Sequence, residues 1–286
     1  MDLQLVNPQA KYPKATLLRP PPLGYIHLAA AVDPPSGPTA IPGKSPRKAA
    51  LLIRLRSLAR QLETLTTVER ASVYRAILIA PPAGFTKAGT HVARYDVVAL
   101  IETTSPEVLG VVQATEPYRL LVEAVTEAAT DVHVMTARCP KRVGEVDKTR
   151  QGLFLFNYFV ADDAAVALQL WEHLAGWYAV ETGLDNSTLL EPLGDADYVF
   201  VNHARWDDSL PRFLFRQLTK PSFRTYLLAN LQANRTRAMP ILYRLASPPL
   251  PEADPAEPDG VGRRGRTRSS HRPTPPAHHP GDKTTA

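Results

Sequence analysis

A single cysteine, Cys139, stands among 286 residues. It has no partner for an internal disulfide, which excludes a small secreted fold stapled by disulfides. Long apolar runs are missing too. A membrane-spanning helix needs roughly 20 apolar residues in a row, and the best stretch, Leu153 to Leu170, is broken by Asp162 and Asp163. The first residues mix Asp2, Lys11 and Lys14 with prolines and hold no signal-peptide core. The expectation is a cytoplasmic protein that does not enter a membrane. Charge of one sign is scarce: 33 basic and 28 acidic residues leave a formal net charge of +5. A dedicated nucleic-acid module carries a concentrated basic face, so that role is not expected. There is no phosphate-cradling glycine loop, no Gly-x-Ser-x-Gly elbow and no closely spaced His/Cys metal set. Neither a cofactor nor a metal is expected from the motifs.

Proline is what the chain has in excess, 28 residues in all. Ten fall within residues 1–46, nine within 247–286, and nine in the 200 residues between. The segment 247–286 has few large apolar side chains beyond Leu250 and Val261, so it cannot offset its ordering entropy. It reads as a disordered Pro/Arg-rich tail. Its charge runs from acidic (Glu252, Asp254, Glu257, Asp259) to basic (Arg263, Arg264, Arg266, Arg268). The basic cluster is read as a solvated tail, with contact to an anionic partner as the other reading. Residues 1–23 form an N-terminal lead expected to be partly disordered.

Between these ends the periodicity changes in a repeated order. Tyr25–Val32 is short, apolar and bounded by Gly24 and Pro34, the signature of a buried strand. Lys48 to Leu65 sets Leu51, Leu55, Leu58 and Leu62 on one helical face, with Ser45 as N-cap and Pro46 at the first helical position. Ser72–Ala80 and Tyr95–Thr103 read as strands. Ser105-Pro106-Glu107 opens a helix to about Ala128, and Val132–Arg138 is a strand. The order β-α-β-β-α-β then recurs: strand Leu153–Val160, a helix capped by Asp162 or Asp163, strands Ser187–Leu193 and Tyr198–Trp206, a helix from Ser209 to about Asn234, and strand Met239–Leu245. The two halves, 24–140 and 141–246, also share small marks. Their third strands begin Tyr95-Asp96-Val97 and Asp197-Tyr198-Val199, and their second helices carry Pro117-Tyr118-Arg119 and Pro221-Ser222-Phe223-Arg224. Order and marks together point to internal duplication.

Two such units in tandem resemble the ferredoxin-like halves of the dimeric α/β-barrel superfamily. Val199–Tyr226, with Ala204-Arg205-Trp206-Asp207-Asp208 and then Lys220-Pro221-Ser222-Phe223-Arg224-Thr225-Tyr226, resembles the antibiotic-biosynthesis-monooxygenase type of domain. The resemblance implies an α+β fold in which two antiparallel sheets curl into one barrel, here within a single chain, so that no dimer is needed for closure. It also implies a cofactor-independent, monooxygenase-like enzyme acting on a small aromatic or polyketide-like ligand. A non-catalytic ligand-binding or stress-related barrel is the alternative. Some heme-degrading members of that family place an asparagine on the first strand and a tryptophan and a histidine on the second helix. Here Asn157 is present, but Tyr226 stands where the histidine falls and that helix has no tryptophan, so heme degradation is not implied.

The candidate site residues are polar groups inside apolar strands, because a buried polar group without a partner costs a few kcal/mol and needs a reason. Asn157 interrupts Leu-Phe-Leu-Phe-Asn-Tyr-Phe-Val; its amide suits a ligand carbonyl or phenolate, or a structural bond to a neighbouring strand. His203 suits a proton acceptor, or a satisfied core histidine. Arg205 shares the His203 face and suits an anion. Tyr226 completes the candidate set Asn157, His203, Arg205 and Tyr226. Asn202 and Trp206 share the other face, and alternation alone does not say which face lines the barrel. Trp171, Trp177 and Tyr178 read as core aromatics, and Cys139 as a structural strand-end thiol rather than a nucleophile. His27 is as ambiguous as His203.

Overall fold

The computed structural model describes residues 2–36, 40–86 and 89–246; the tail expected over 247–286 lies outside them. Eight main strands carry the fold: β1 (Gly24–Ala31), β2 (Val68–Ile79), β3 (Val97–Thr103), β4 (Asp131–Arg138), β5 (Leu153–Ala161), β6 (Ser187–Pro192), β7 (Phe200–Trp206) and β8 (Thr236–Leu245). The main helices are α1 (Pro46–Leu62), α2 (Glu116–Ala128), α3 (Ala164–Thr182) and α4 (Leu210–Leu218). All strand pairs are antiparallel. The first four strands run in the order β2-β3-β1-β4 and the last four in the order β6-β7-β5-β8. Two seams join the sheets into a closed barrel. At one, Ala137 pairs with Pro192 and Arg138 with Glu191. At the other, β8 pairs with β2 from Ile241↔Ile79 to Leu245↔Tyr74, with a bulge beside Tyr243. The ring is therefore closed by one chain.

Closure explains why the strands are apolar on both faces. On β1, Tyr25, Ala29 and Ala31 point into the barrel core, while Ile26, Leu28 and Ala30 pack on α1 and α2. The α1 stripe Leu51, Leu55, Leu58 and Leu62 is buried there, each leucine contributing about 1.5–3 kcal/mol by leaving water. The Ser45 hydroxyl caps α1 by accepting the Lys48 amide, and Asp163 caps α3 by accepting the amides of Ala165 and Val166. Such caps contribute about 1 kcal/mol each.

The two helices read as continuous are broken. Before α2 the chain makes a separate turn at Pro106–Val108 and a short helix at Leu109–Gln113. After α4 it restarts at Pro221 and passes through a wide π-helical turn, Phe223–Leu228, into Ala229–Ala233. The cause is Pro117 and Pro221: proline lacks an N–H and suits a first turn, not an interior. The lead packs on α3 and on the helix after the wide turn. Ala15 N–H donates to Glu172 O, and Asn230 and Asn234 bond both ways with the backbone of Val6 and Gln4. Among the described residues no helix is long and apolar enough to cross a membrane.

Candidate functional site

Strand alternation decides which candidates meet. On β5, Phe154, Phe156 and Tyr158 enter the barrel, so Leu155, Asn157 and Phe159 face the helices. On β7, Val201 enters the barrel, as does His203, stacked on Phe156 at a centroid distance of 4.2 Å. Asn202 and Trp206 therefore face outward. Asn157 is directly opposite Asn202 in the β5–β7 register, and the two amides lie side by side beneath α3.

A narrow cavity of about 50 Å³ opens there, between the second sheet and its helices. Asn157, Asn202 and Trp206 supply its sheet side; Trp171 and Tyr178 of α3 and Phe223 and Leu227 of the wide turn supply its helical side. Trp171 Nε1 and Ser187 Oγ both donate to Asn202 Oδ1, at 3.0 and 2.6 Å. An indole nitrogen only donates, so this bond fixes the amide's orientation and fills the oxygen's two lone pairs. Trp206 Nε1 donates to Thr182 Oγ1 at 3.1 Å. Asn157 Oδ1 is different: it is buried and accepts no hydrogen bond. Burial pushes the Tyr178 phenol well above its ordinary range, so it stays protonated. The cavity thus offers a buried acceptor with no partner among the described residues, in a mostly aromatic and aliphatic setting whose other polar lining is Ser187, Asn202 and Gln217.

The expected four-residue cluster does not converge. His203 lies inside the filled barrel. Its Nδ1–H donates to the Leu155 carbonyl at 3.1 Å, which leaves Nε2 to accept from the Tyr74 hydroxyl at 3.4 Å. Burial, then the Lys148 charge, lowers its pKa well below the usual range, and the ring is neutral. Arg205 closes one end of the barrel. Its guanidinium donates to Gln151 O and Asp207 Oδ1 and lies over Gly152, where a Cβ would run into Nε. Tyr226 packs its ring on Tyr12 at 5.2 Å, on the lead side of the helical layer, and does not line the cavity. Only Asn157 of the four does so. His27 is buried in the barrel against Tyr158. Burial pushes the Cys139 thiol up to about 11, and it donates to Lys141 O, which fits the structural reading. Among the described residues no group of three or more His, Cys, Asp or Glu side chains is arranged to hold a metal.

The residues that sequence reasoning passed over are Trp171, Ser187 and Asn202. Trp171 reads as a core aromatic, and Asn202 falls on the strand face opposite His203. The usable signal was the coincidence of two asparagines, Asn157 and Asn202, at mid-strand positions of one half.

No family model matches the chain, and no curated protein matches it. Solved structures do. An anthrone oxidase-like protein is 15% identical, with 81% of this chain and 96% of that chain covered and a TM-score of 0.51. A "Putative monooxygenase" from Fusobacterium nucleatum subsp. nucleatum is 6% identical, with 80% and 94% covered and a TM-score of 0.50. At such identities the likeness is one of fold. The chain has a closed antiparallel α+β barrel formed within one polypeptide, a fold it shares with these structures.

Proposed function

We propose that the protein binds a small, largely apolar aromatic molecule in the cavity beneath α3, and that the bound molecule is oxidised there in a monooxygenase-like reaction without a cofactor. The observation that carries this reading is Asn157 Oδ1, buried without a partner among the described residues in a mostly apolar cavity. An acceptor there calls for a ligand hydroxyl or N–H, as a phenol or an enol supplies. Trp171, Tyr178 and Trp206 offer ring faces and edges to a planar molecule. In such a reaction an activated methylene of the substrate reacts with dioxygen. Two C–H bonds break, one oxygen atom becomes the carbonyl, and the other leaves as water. The enol form supplies the electrons, and Asn157 holds the enol hydroxyl. The likeness to an anthrone oxidase-like protein supports this class of substrate.

A second reading, a non-catalytic binding barrel, is favoured by one feature. Among the described residues that line the cavity, no side chain takes up a proton near neutral pH. Its room suits a few waters, so a tricyclic ring enters only if the wall Phe223–Leu231 moves outward. The test is oxygen uptake with anthrone as probe, alongside native mass spectrometry of the purified chain with and without the probe. Uptake and a bound adduct that are both lost in Asn157→Ala support the enzyme. An adduct without uptake supports the binding barrel. No adduct overturns both.

A further inference from the structure

The two seams of the barrel differ in charge. At the β4–β6 seam Arg138 faces Glu191, and the two form an ion pair at 2.8 Å. At the β8–β2 seam Arg244 faces Arg75. Tyr74, Ala76 and Tyr243 point into the barrel, so both arginines lie on its outer face. Neither has an ion-pair or hydrogen-bond partner among the described residues. Like charges directly opposite across antiparallel strands are destabilising, so this pair calls for a counter-charge.

Arg75 opens onto a groove between α1 and the outer face of β2. A cleft of about 400 Å³ holds Arg75, and a second of about 650 Å³ follows along the same side of α1, between Arg56, Arg60 and the residues Arg70 to Val73 of β2. Ala49, Leu52, Arg56, Arg60 and Glu63 line it at steps of three and four, which is one side of α1. Lys44, Arg56, Arg60, Arg70 and Arg75 lack ion-pair partners among the described residues, whereas Lys48 and Lys148 are tied to Asp96 and Glu102. The acidic lining residue is Glu63, and its carboxylate already accepts the Ala71 amide. Burial and the adjacent Arg60 lower the Arg56 pKa, a sign of crowded positive charge.

We propose that this groove docks an extended acidic peptide segment of a partner protein. Its carboxylates would neutralise Arg75 with Arg244, then Arg56 and Arg60, and its apolar side chains would rest on Leu52 and Ile77. From Ala49 to Glu63 the helix rises about 21 Å, the length of about six extended residues. Among the described residues no aromatic or histidine side chain lines the groove, so they supply none of the stacking platforms of a single-stranded nucleic-acid site. The site is separate from the cavity beneath α3 and does not depend on its ligand.

The test is fluorescence anisotropy on the full chain with two labelled probes, a peptide of about eight alternating Glu and Leu residues and an oligothymidylate. The expected result is peptide binding that weakens steeply with salt and falls by about tenfold or more in Arg75→Glu/Arg244→Glu. The same loss is expected in Arg56→Glu/Arg60→Glu. Arg244→Gln serves if a reversal variant fails to fold, and it is expected to melt higher than the parent chain at low salt. Failure of the peptide to bind, or binding indifferent to these substitutions, overturns the proposal. Tighter binding of the oligothymidylate overturns it in favour of a nucleic-acid interface.

Discussion

Asn157 and His203 stand on neighbouring strands but on opposite faces of the same sheet: Asn157 is in register with Asn202, and His203 with Phe156. The amide therefore looks into the cavity under α3 while the imidazole is sealed among the barrel aromatics. Any chemistry that needs both groups on one substrate is ruled out by this geometry.

The unpaired amide oxygen of Asn157 lowers the stability of the fold. Leaving a buried acceptor unpaired costs about 1–3 kcal/mol. Asn157→Leu, close in size, is expected to stabilise the protein by about 1–2 kcal/mol in urea denaturation while losing the ligand. A variant destabilised by that amount would mean that the amide holds the strands together, and the binding reading would fall.

The Asn202 oxygen should respond differently, because two donors share it. Trp171→Phe and Ser187→Ala each leave one hydrogen bond, at a cost of about 1 kcal/mol beyond any packing loss. The double variant strips the oxygen bare and should cost about 1–3 kcal/mol more than the sum. A double-variant cycle measured by denaturation checks this, and strict additivity would refute it.

Acid should weaken the fold through its buried histidines. Burial first, then His133, drives the His27 pKa down to about 3; burial also lowers those of His133 and His203. An unfolded histidine takes up a proton near pH 6.5. Between 6.5 and 3 the unfolded chain therefore binds more protons, so stability is full above 6.5 and is lost as pH falls. For His27 the slope is about 1.4 kcal/mol per pH unit. Urea midpoints at pH 7.5 and 5.5 should show the loss, and His27→Gln should reduce it by one residue's share. An unchanged slope in that variant would show that the ring is hydrated.

Much of the architecture was legible in the residues. The α1 leucines and Ser45 marked the helix and its start because one buried stripe repeats at the helical period. The tyrosines that mark the third strands, Tyr95 and Tyr198, meet inside the barrel with their hydroxyls 3.0 Å apart. The breaks before Pro117 and Pro221 were also visible in principle, since each proline begins a helix there rather than interrupting one.

What the residues determined alone is the order of the main strands and helices and the presence of two asparagines, His203 and Arg205 within apolar strands. Which of those groups share a site was decided by the tertiary structure. A strand buried on both faces has no polar side to orient it, so alternation separates Asn157 from His203 without saying which of them faces the helices. Closure of β8 on β2 settles that. It fills the barrel with the side chains on the His203 face and leaves the Asn157 face to meet α3, where an indole, a hydroxyl and two amides from distant parts of the chain come together.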